Sequence, residues 1–339
     1  MAREQGGPNL EAPLENFQGG IYEINLPQEY GEKESGKVRD TWVIDGLRFE
    51  VTTDRLSAFN HRVCTVPGRG QLLVAFTQFW ADETSGIVKN DIIASPHPNI
   101  LVRQHMPDRI PAEVVLRDYM AESSTETSVF RQYMDYGRRN IYGIDFPEGL
   151  GANEKFPMGT IITPTTKTSD DEEMDDDTAR HLVDGQLGDG AWDATKDKAL
   201  KVFKKGKSIY EAFGIIPADT KLEFALHEGE VVLIDEILTP DSSRLWLSGS
   251  YNTRFAQGLP PINFDKEIIR REMTRLGYKK GEPIPKIDTI LKSRTLEAYQ
   301  EPYQMVTGKS LLIQDTDQSS VTQALIGAIH LYAPSFQGK

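Results

Sequence analysis

The sequence predicts an α+β protein: strand-like segments bounded by turn residues dominate up to about residue 120, and apolar residues at helical spacing recur beyond it. Two hairpin signals support the strands. Asp45-Gly46 is a strong two-residue turn signal between apolar runs, and residues 227–230 form a plausible tight turn joining residues 221–226 to residues 231–235. With 339 residues, 38% of them hydrophobic, the chain can bury a sizeable core in one or two domains, and its 28 glycines and 19 prolines imply many loops.

In chain order, residues 1–30 read as a flexible N-terminal arm containing Gly6, Gly7 and Pro8. Residues 34–42, Glu-Ser-Gly-Lys-Val-Arg-Asp-Thr-Trp, then enter the first hairpin. Gly36 would let the backbone approach a ligand, while Lys37 and Arg39, two apart on a strand, would point the same way toward phosphate. The spacing of a Walker A loop is absent. Residues 53–61 gather charged, hydroxyl and amide groups and read as a functional loop. Residues 112–120 read as a buried strand carrying Arg117, and residues 161–167 as Ile-Ile-Thr-Pro-Thr-Thr-Lys. Residues 191–215 place Ala199, Val202, Phe203, Ile209 and Phe213 at helical spacing, so these aromatics read as core. Further helices are predicted at residues 265–276, 288–306 and 320–332, the last packing Leu325, Ile326, Ile329 and Leu331.

The chemistry concentrates in the second hairpin and the turn after it. On a strand, Asp219, Lys221 and Glu223 share one face, and the hairpin brings Glu223 close to Asp235. Paired carboxylates beside a lysine suit magnesium bridging nucleotide phosphates. Beyond Asp235, Pro240 stops regular pairing, and Ser242, Ser243 and Arg244 offer donors suited to phosphate or carboxylate.

Taken together these blocks resemble the phosphoribosylaminoimidazole-succinocarboxamide synthases, or SAICAR synthetases, over most of the chain. The family's Ser-Gly-Lys-Val-Arg-Asp stands at residues 35–40, and its Asp-Arg-Ile-Ser-Ala-Phe-Asp is similar to residues 54–60. Residues 163–167 and 219–224 resemble Thr-Pro-Ser-Thr-Lys and Asp-Thr-Lys-Phe-Glu-Phe. Residues 235–244 meet Asp-Glu-x-x-Thr-Pro-Asp-Ser-Ser-Arg completely, which is a very specific match. Residues 146–150 and 264–270 also resemble family segments.

The resemblance implies a small antiparallel nucleotide lobe, placed at residues 31–120, and a larger α+β lobe at residues 121–339, around a cleft like those of kinases and ATP-grasp enzymes. It implies ATP-dependent ligation of L-aspartate to carboxyaminoimidazole ribotide (CAIR) through an acyl phosphate, giving SAICAR, ADP and phosphate. ATP and Mg2+ would be the cofactors; family members are often homo-oligomers, but the helices at residues 265–276 and 288–306 show no apolar stripe that assigns an interface here. By match, Gly36, Lys37 and Arg39 would hold ATP, and Glu223 and Asp235 would bind magnesium. Lys221, Asp219 and Arg244 would be catalytic, Lys221 bridging phosphate and carboxylate and Asp219 orienting the imidazole amine. Arg117 and Ser123 match the ribotide phosphate site, joined by Ser57, Asn60, Lys167 and Ser243 at the substrate.

Three departures are visible. The family's Tyr-Leu-Thr-Gly-Ser reads Tyr-Met-Ala-Glu-Ser at residues 119–123, so Glu122 replaces a glycine at the phosphate turn and must point away or be countered. Asn60 replaces an aspartate. The His-Asp pair usual after the Thr-Pro-Ser-Thr-Lys block gives way to the acidic residues 169–177, which read as a solvated loop or as placing Asp170 or Asp171 near the metal or the aspartate amine. These changes keep open a paralogous carboxylate–amine ligase for another anionic substrate.

Composition restricts the alternatives. A net charge of −13 argues against nucleic acid, while Lys37, Arg39, Arg117, Lys167, Lys221 and Arg244 all fall inside the motif blocks, as an anion site requires. No run approaches the roughly twenty apolar residues of a membrane helix, and the polar N-terminus is unlike a secretory signal, so a cytoplasmic location is expected. The single cysteine, Cys64, excludes an intrachain disulfide and reads as a structural thiol.

Overall fold

The structure is a computed structural model that describes residues 20–59, 61–167, 172–279, 282–314 and 317–337. Its first half runs β1 (Glu34–Ser35), β2 (Arg39–Ile44), β3 (Leu47–Thr52), β4 (Arg55–Ala58), β5 (His61–Thr65), α1 (Arg69–Thr84), β6 (Lys89–Asn90), β7 (Ile92–His97), β8 (Ile100–Gln104) and β9 (Ala112–Arg117). There follow α2 (Val129–Met134), β10 (Asn140–Ile141), β11 (Ile144–Asp145), β12 (Ile161–Ile162), β13 (Thr165–Thr166), α3 (Asp176–Leu187) and α4 (Ala191–Ala212). The rest comprises β14 (Ile215–His227), β15 (Glu230–Ile234), β16 (Ser243–Leu247), α5 (Ser248–Ala256), α6 (Glu267–Arg275), α7 (Thr289–Thr307) and α8 (Gln318–Tyr332).

Two sheets dominate this α+β fold. The smaller is five-stranded and antiparallel in the order β1-β2-β3-β8-β7. Its β2–β3 turn uses Asp45 and Gly46 at φ 50° and 74°, the left-handed pair that matches the twist of a two-residue hairpin. The larger sheet runs β12-β9-β14-β15-β6, with β13 also pairing β9 and β16 pairing β14. Glu228 and Gly229, at φ 51° and 78°, turn β14 into β15. Helices α3 and α4 and part of α1 cover this sheet through a core that includes Trp80, Trp192, Phe203, Leu222 and Phe224.

The sheets do not divide at residue 120. Strand β9, expected in the first lobe, is central to the larger sheet because its alternating Ala112, Val114 and Leu116 pack under α4. Helix α8, expected in the second lobe, returns to the first: Val321, Leu325 and Ile329 share a core with Trp42, Phe49 and Val102. Residues 20–30, expected in a loose arm, also join that core through Ile21, Ile24 and Tyr30. Their backbone is pinned as well. Ile21 N–H donates to Asp54 at 2.8 Å and Ile24 N–H to Asp40 at 2.9 Å.

The later helices fall where the periodicity puts them, with two local corrections. Phe213 follows α4 and is half exposed, because the chain turns at Gly214 (φ 78°) to enter β14. Leu331 is 63% exposed, since the buried stripe of α8 runs through Val321, Leu325, Ala328 and Ile329. Asp288 caps α7, accepting from Leu291 N–H at 2.7 Å. No helix among the described residues is long and apolar enough to cross a membrane.

Candidate active site

A cleft of about 1000 Å³ opens between the edge of the smaller sheet, the β4–β5 hairpin and the 235–242 turn. Glu113 on β9, Lys221 on β14 and Asp235 just after β15 line it, and Glu223 lines the smaller pocket that shares Asp235. On β14, Asp219, Lys221 and Glu223 do share a face, and β9 lies antiparallel beside them with Asp219 opposite Arg117. Lys221 Nζ donates to Glu113 and to Glu223, each at 2.7 Å. Burial would lower the lysine's pKa, but Glu223 and Glu113 reverse this and raise it well above its ordinary value. Lys221 is therefore a fixed cation, with Lys167 adding a second at 3.0 Å from Glu223.

Asp235 stands directly after β15 in the left-handed region, φ 63°, a conformation that costs a non-glycine residue on the order of 1 kcal/mol or more. Opposite Ile234 lies Glu223, so the hairpin brings the two acids together. Burial would raise the Asp235 carboxyl, but Arg39 and Lys221 outweigh it and hold the group well below the usual carboxylate range.

Two of the expected phosphate cations are placed differently. Lys37 lies in the bend between β1 and β2 rather than on a strand, so it does not alternate with Arg39, although both line the cleft. Arg39 is engaged by acids: it donates to Asp235 and Glu236 at 2.5 Å each and lies 3.3 Å from Glu50. A guanidinium so surrounded orients the acidic turn before it can serve a phosphate. Gly36 has an ordinary φ, and its backbone serves the turn itself. Gly36 N–H donates to the Arg39 carbonyl at 2.8 Å, and its own carbonyl accepts from Arg62 at 2.8 Å.

A second ionic group lies toward the start of β14, outside the lining of this cleft. Asp219, 5% exposed, accepts from Arg117 at 2.7 Å and from Arg244 Nε at 3.0 Å. Burial would raise its pKa, but Arg244 and Arg117 lower it. Arg244 also donates to the carbonyls of Ala121 and Glu122, at 3.0 and 2.7 Å, fixing the turn that carries Ser123. The Glu122 side chain turns toward Arg271 at 4.0 Å, so the extra carboxylate is countered. Ser123 is spent locally, its hydroxyl accepting from Thr125 N–H at 3.2 Å.

Strand alternation corrects one further expectation. Ser243 and Arg244 are adjacent on β16, so they face opposite ways. Arg244 meets Asp219, while Ser243, 4% exposed, bonds Thr220 at 2.8 Å inside the sheet. Ser242 lines the cleft instead. Ser57 lines it too, its hydroxyl donating to the His61 carbonyl at 3.0 Å. Asn60 and residues 168–171, including Asp170 and Asp171, lie outside the described residues.

The sequence reading missed Glu113, Asp241, Lys266 and Arg270, all of which line the cleft. Glu113 was findable: it is four residues before Arg117 on the same strand, hence on the same face. Lys266 and Arg270 sit in a recognised block, one turn apart at the start of α6, but only the fold aims them at the cleft.

Among the described residues no cluster of three or more His, Cys, Asp or Glu could hold a metal unaided. Glu223 and Asp235 nevertheless fit a magnesium ion that takes its remaining ligands from phosphates and water, since such ions are usually held by one or two carboxylates.

A cleft whose wall alternates fixed cations with paired carboxylates defines an enzyme that gathers several anions before joining or activating them. A family model described as SAICAR synthetase matches residues 32–285. The phosphoribosylaminoimidazole-succinocarboxamide synthase of Legionella pneumophila (strain Paris) is 38% identical over 309 residues, covering 90% of this chain and 96% of its own. The chloroplastic enzyme of the same name from Arabidopsis thaliana is 36% identical over 291 residues, covering 84% of this chain and 68% of its own. Among solved structures, the SAICAR synthase of Saccharomyces cerevisiae complexed with SAICAR superposes with a TM-score of 0.73 at 29% identity, covering 86% of this chain and 99% of that one. A type-2 SAICAR synthetase in complex with ADP, at 22% identity and a TM-score of 0.61, shares the fold. The chain belongs to the SAICAR synthetase family.

Proposed function

We propose that the cleft carries out the family reaction, ligating L-aspartate to CAIR with ATP to give SAICAR, ADP and phosphate in purine biosynthesis. The observation that carries this reading is the Asp219–Lys221–Glu223 face on β14 with Asp235 beside it, in a chain that meets residues 235–244 of the family pattern completely. An oxygen of the CAIR carboxylate attacks the γ-phosphorus of ATP, and ADP leaves with the electron pair of the broken P–O bond. The aspartate amine then attacks the acyl carbon, loses a proton, and phosphate departs. No protein nucleophile is needed.

The residues take roles that follow from their charge. Lys221, permanently protonated between Glu113 and Glu223, sits where it can bridge the transferred phosphoryl group and the carboxylate. Lys37 faces the nucleotide, and Arg39 holds Asp235 and Glu236 in place for it. Asp219, ionised by Arg117 and Arg244, which both donate to it, accepts from the imidazole amine, and the positive charge of those two guanidiniums serves the ribotide phosphate. Lys167, Ser57 and Ser242 complete the substrate side. Magnesium on Glu223 and Asp235 would neutralise charge on the phosphates. The reading carries a cytoplasmic setting with it.

The test is ADP release from purified protein given magnesium-ATP and CAIR, with and without L-aspartate, with the product identified by mass. Aspartate-dependent SAICAR is expected. ADP release independent of aspartate, or a product of another mass, would move the assignment to a ligase for a different anionic substrate. For the metal, Glu223→Gln with Asp235→Asn should abolish the magnesium dependence of ATP binding in calorimetry.

A further inference from the structure

The family match ends at residue 285, yet a side chain beyond it bonds a residue that lines the cleft. Tyr299, on α7, is fully buried, and its hydroxyl donates to Asp241 Oδ1 at 2.5 Å. Asp241 belongs to the turn between β15 and β16 and lines the cleft. Its other carboxylate oxygen accepts from Arg69 of α1, which is also buried and stacks over the Tyr299 ring at 5.6 Å.

From Arg69 the connection continues to the opposite wall. Arg69 Nη1 donates to the Arg55 carbonyl at 2.5 Å. Arg55, fully buried on β4, donates in turn to the carbonyls of Gly36 at 3.2 Å, Lys37 at 3.3 Å and Arg39 at 3.0 Å. One chain of buried, charge-assisted hydrogen bonds thus runs from α7 through the 235–242 turn to the 36–39 turn. Such bonds are directional and strong in a low dielectric, so they set distances between the groups they join.

We propose that Tyr299 is a positioning residue: acting through Asp241 and Arg69, it holds the acidic turn and the 36–39 turn in fixed register across the cleft. Its part in turnover rests on the reaction proposed above, but the positioning itself is a property of the unliganded chain. Packing alone does not account for it, since a phenylalanine would fill the same space between α7 and α1. The hydroxyl is what ties α7 to Asp241.

Hydrogen exchange of the full chain without ligand reads the positioning directly. Tyr299→Phe should speed amide exchange about tenfold or more in residues 36–39 and 239–243, with α4 and β14 unchanged. It should also lower kcat/KM for magnesium-ATP about tenfold while changing the KM for aspartate less than about twofold. Tyr303→Phe, one turn further along α7 with its ring edge-on to Phe76 at 5.2 Å, should behave as wild type. Asp241→Asn should reproduce both effects, and the double variant should be no worse than Asp241→Asn alone. Wild-type exchange in both turns, or faster exchange confined to α7 and α1, would overturn the proposal, and so would additive losses in the double variant. Should the wild-type chain make no SAICAR, the exchange data still decide the positioning separately from the reaction.

Discussion

Lys221 decides the charge balance of the cleft, because its ammonium is the group that separates Glu113 from Glu223. Without it two carboxylates would face an incoming phosphate. Lys221→Ala should therefore lower kcat/KM by about a thousandfold or more. Because the side chain is 35% exposed, the same change should cost at most about 1 kcal/mol of stability in a denaturant titration. Near-wild-type activity in that variant would remove Lys221 from the chemistry. The pattern of Lys221, Asp219 and Glu223 was legible in the sequence because strand alternation fixes a face whatever the rest of the fold does. The partners were not: nothing local to Arg39 announces that Asp235 and Glu236, nearly two hundred residues away, will take its guanidinium. Ser243 was misplaced for the same reason in reverse, since a motif read as a turn becomes a strand at Ser243 and sends neighbours to opposite faces.

Elements meet through a few close contacts that sequence cannot rank. Gly70, in the first turn of α1, lies so near β3 that an added Cβ would come 2.3 Å from the Thr52 carbonyl oxygen. Gly70→Ala should destabilise the protein by about 2 kcal/mol or more, read as a lower melting temperature, because backbone on both sides must move. A second junction joins β16 to α6 at Asp265. Its carboxylate accepts from Glu267 N–H at 2.7 Å and from Leu245 N–H at 3.2 Å, and burial, with Glu267 nearby, raises its pKa to about 7. The folded chain thus binds this proton more tightly than the unfolded chain does. The contribution of Asp265 to stability is full below its unfolded pKa near 4 and declines as pH rises through about 7. Asp265→Asn should flatten the fall in stability between pH 4 and 7; an unchanged slope in pH-dependent denaturation would show that other groups produce it.

At the scale of the whole molecule, the chain closes on itself. Residues 20–30 and α8 cover the smaller sheet from opposite ends of the sequence, and α7 carries Tyr299 to the turn at Asp241. Helical periodicity located these helices, but amphipathic pattern does not name the surface a helix will cover, which is why α8 was placed in the wrong lobe. Deleting residues 315–339 should uncover Trp42, Phe49 and Val102 and lower the melting temperature by about 10 °C or more, or leave the chain insoluble. An unchanged melting transition would mean that α8 contributes little to the first lobe.

The reaction proposed for the cleft phosphorylates a carboxylate and then lets an amine displace the phosphate. The most direct test supplies CAIR labelled with 18O in its carboxylate, together with magnesium-ATP and L-aspartate, and weighs both products. An acyl phosphate requires one labelled oxygen to leave with the phosphate, so labelled phosphate should appear in step with SAICAR. Unlabelled phosphate alongside SAICAR would contradict the acyl-phosphate route, and the absence of SAICAR would contradict the assignment itself.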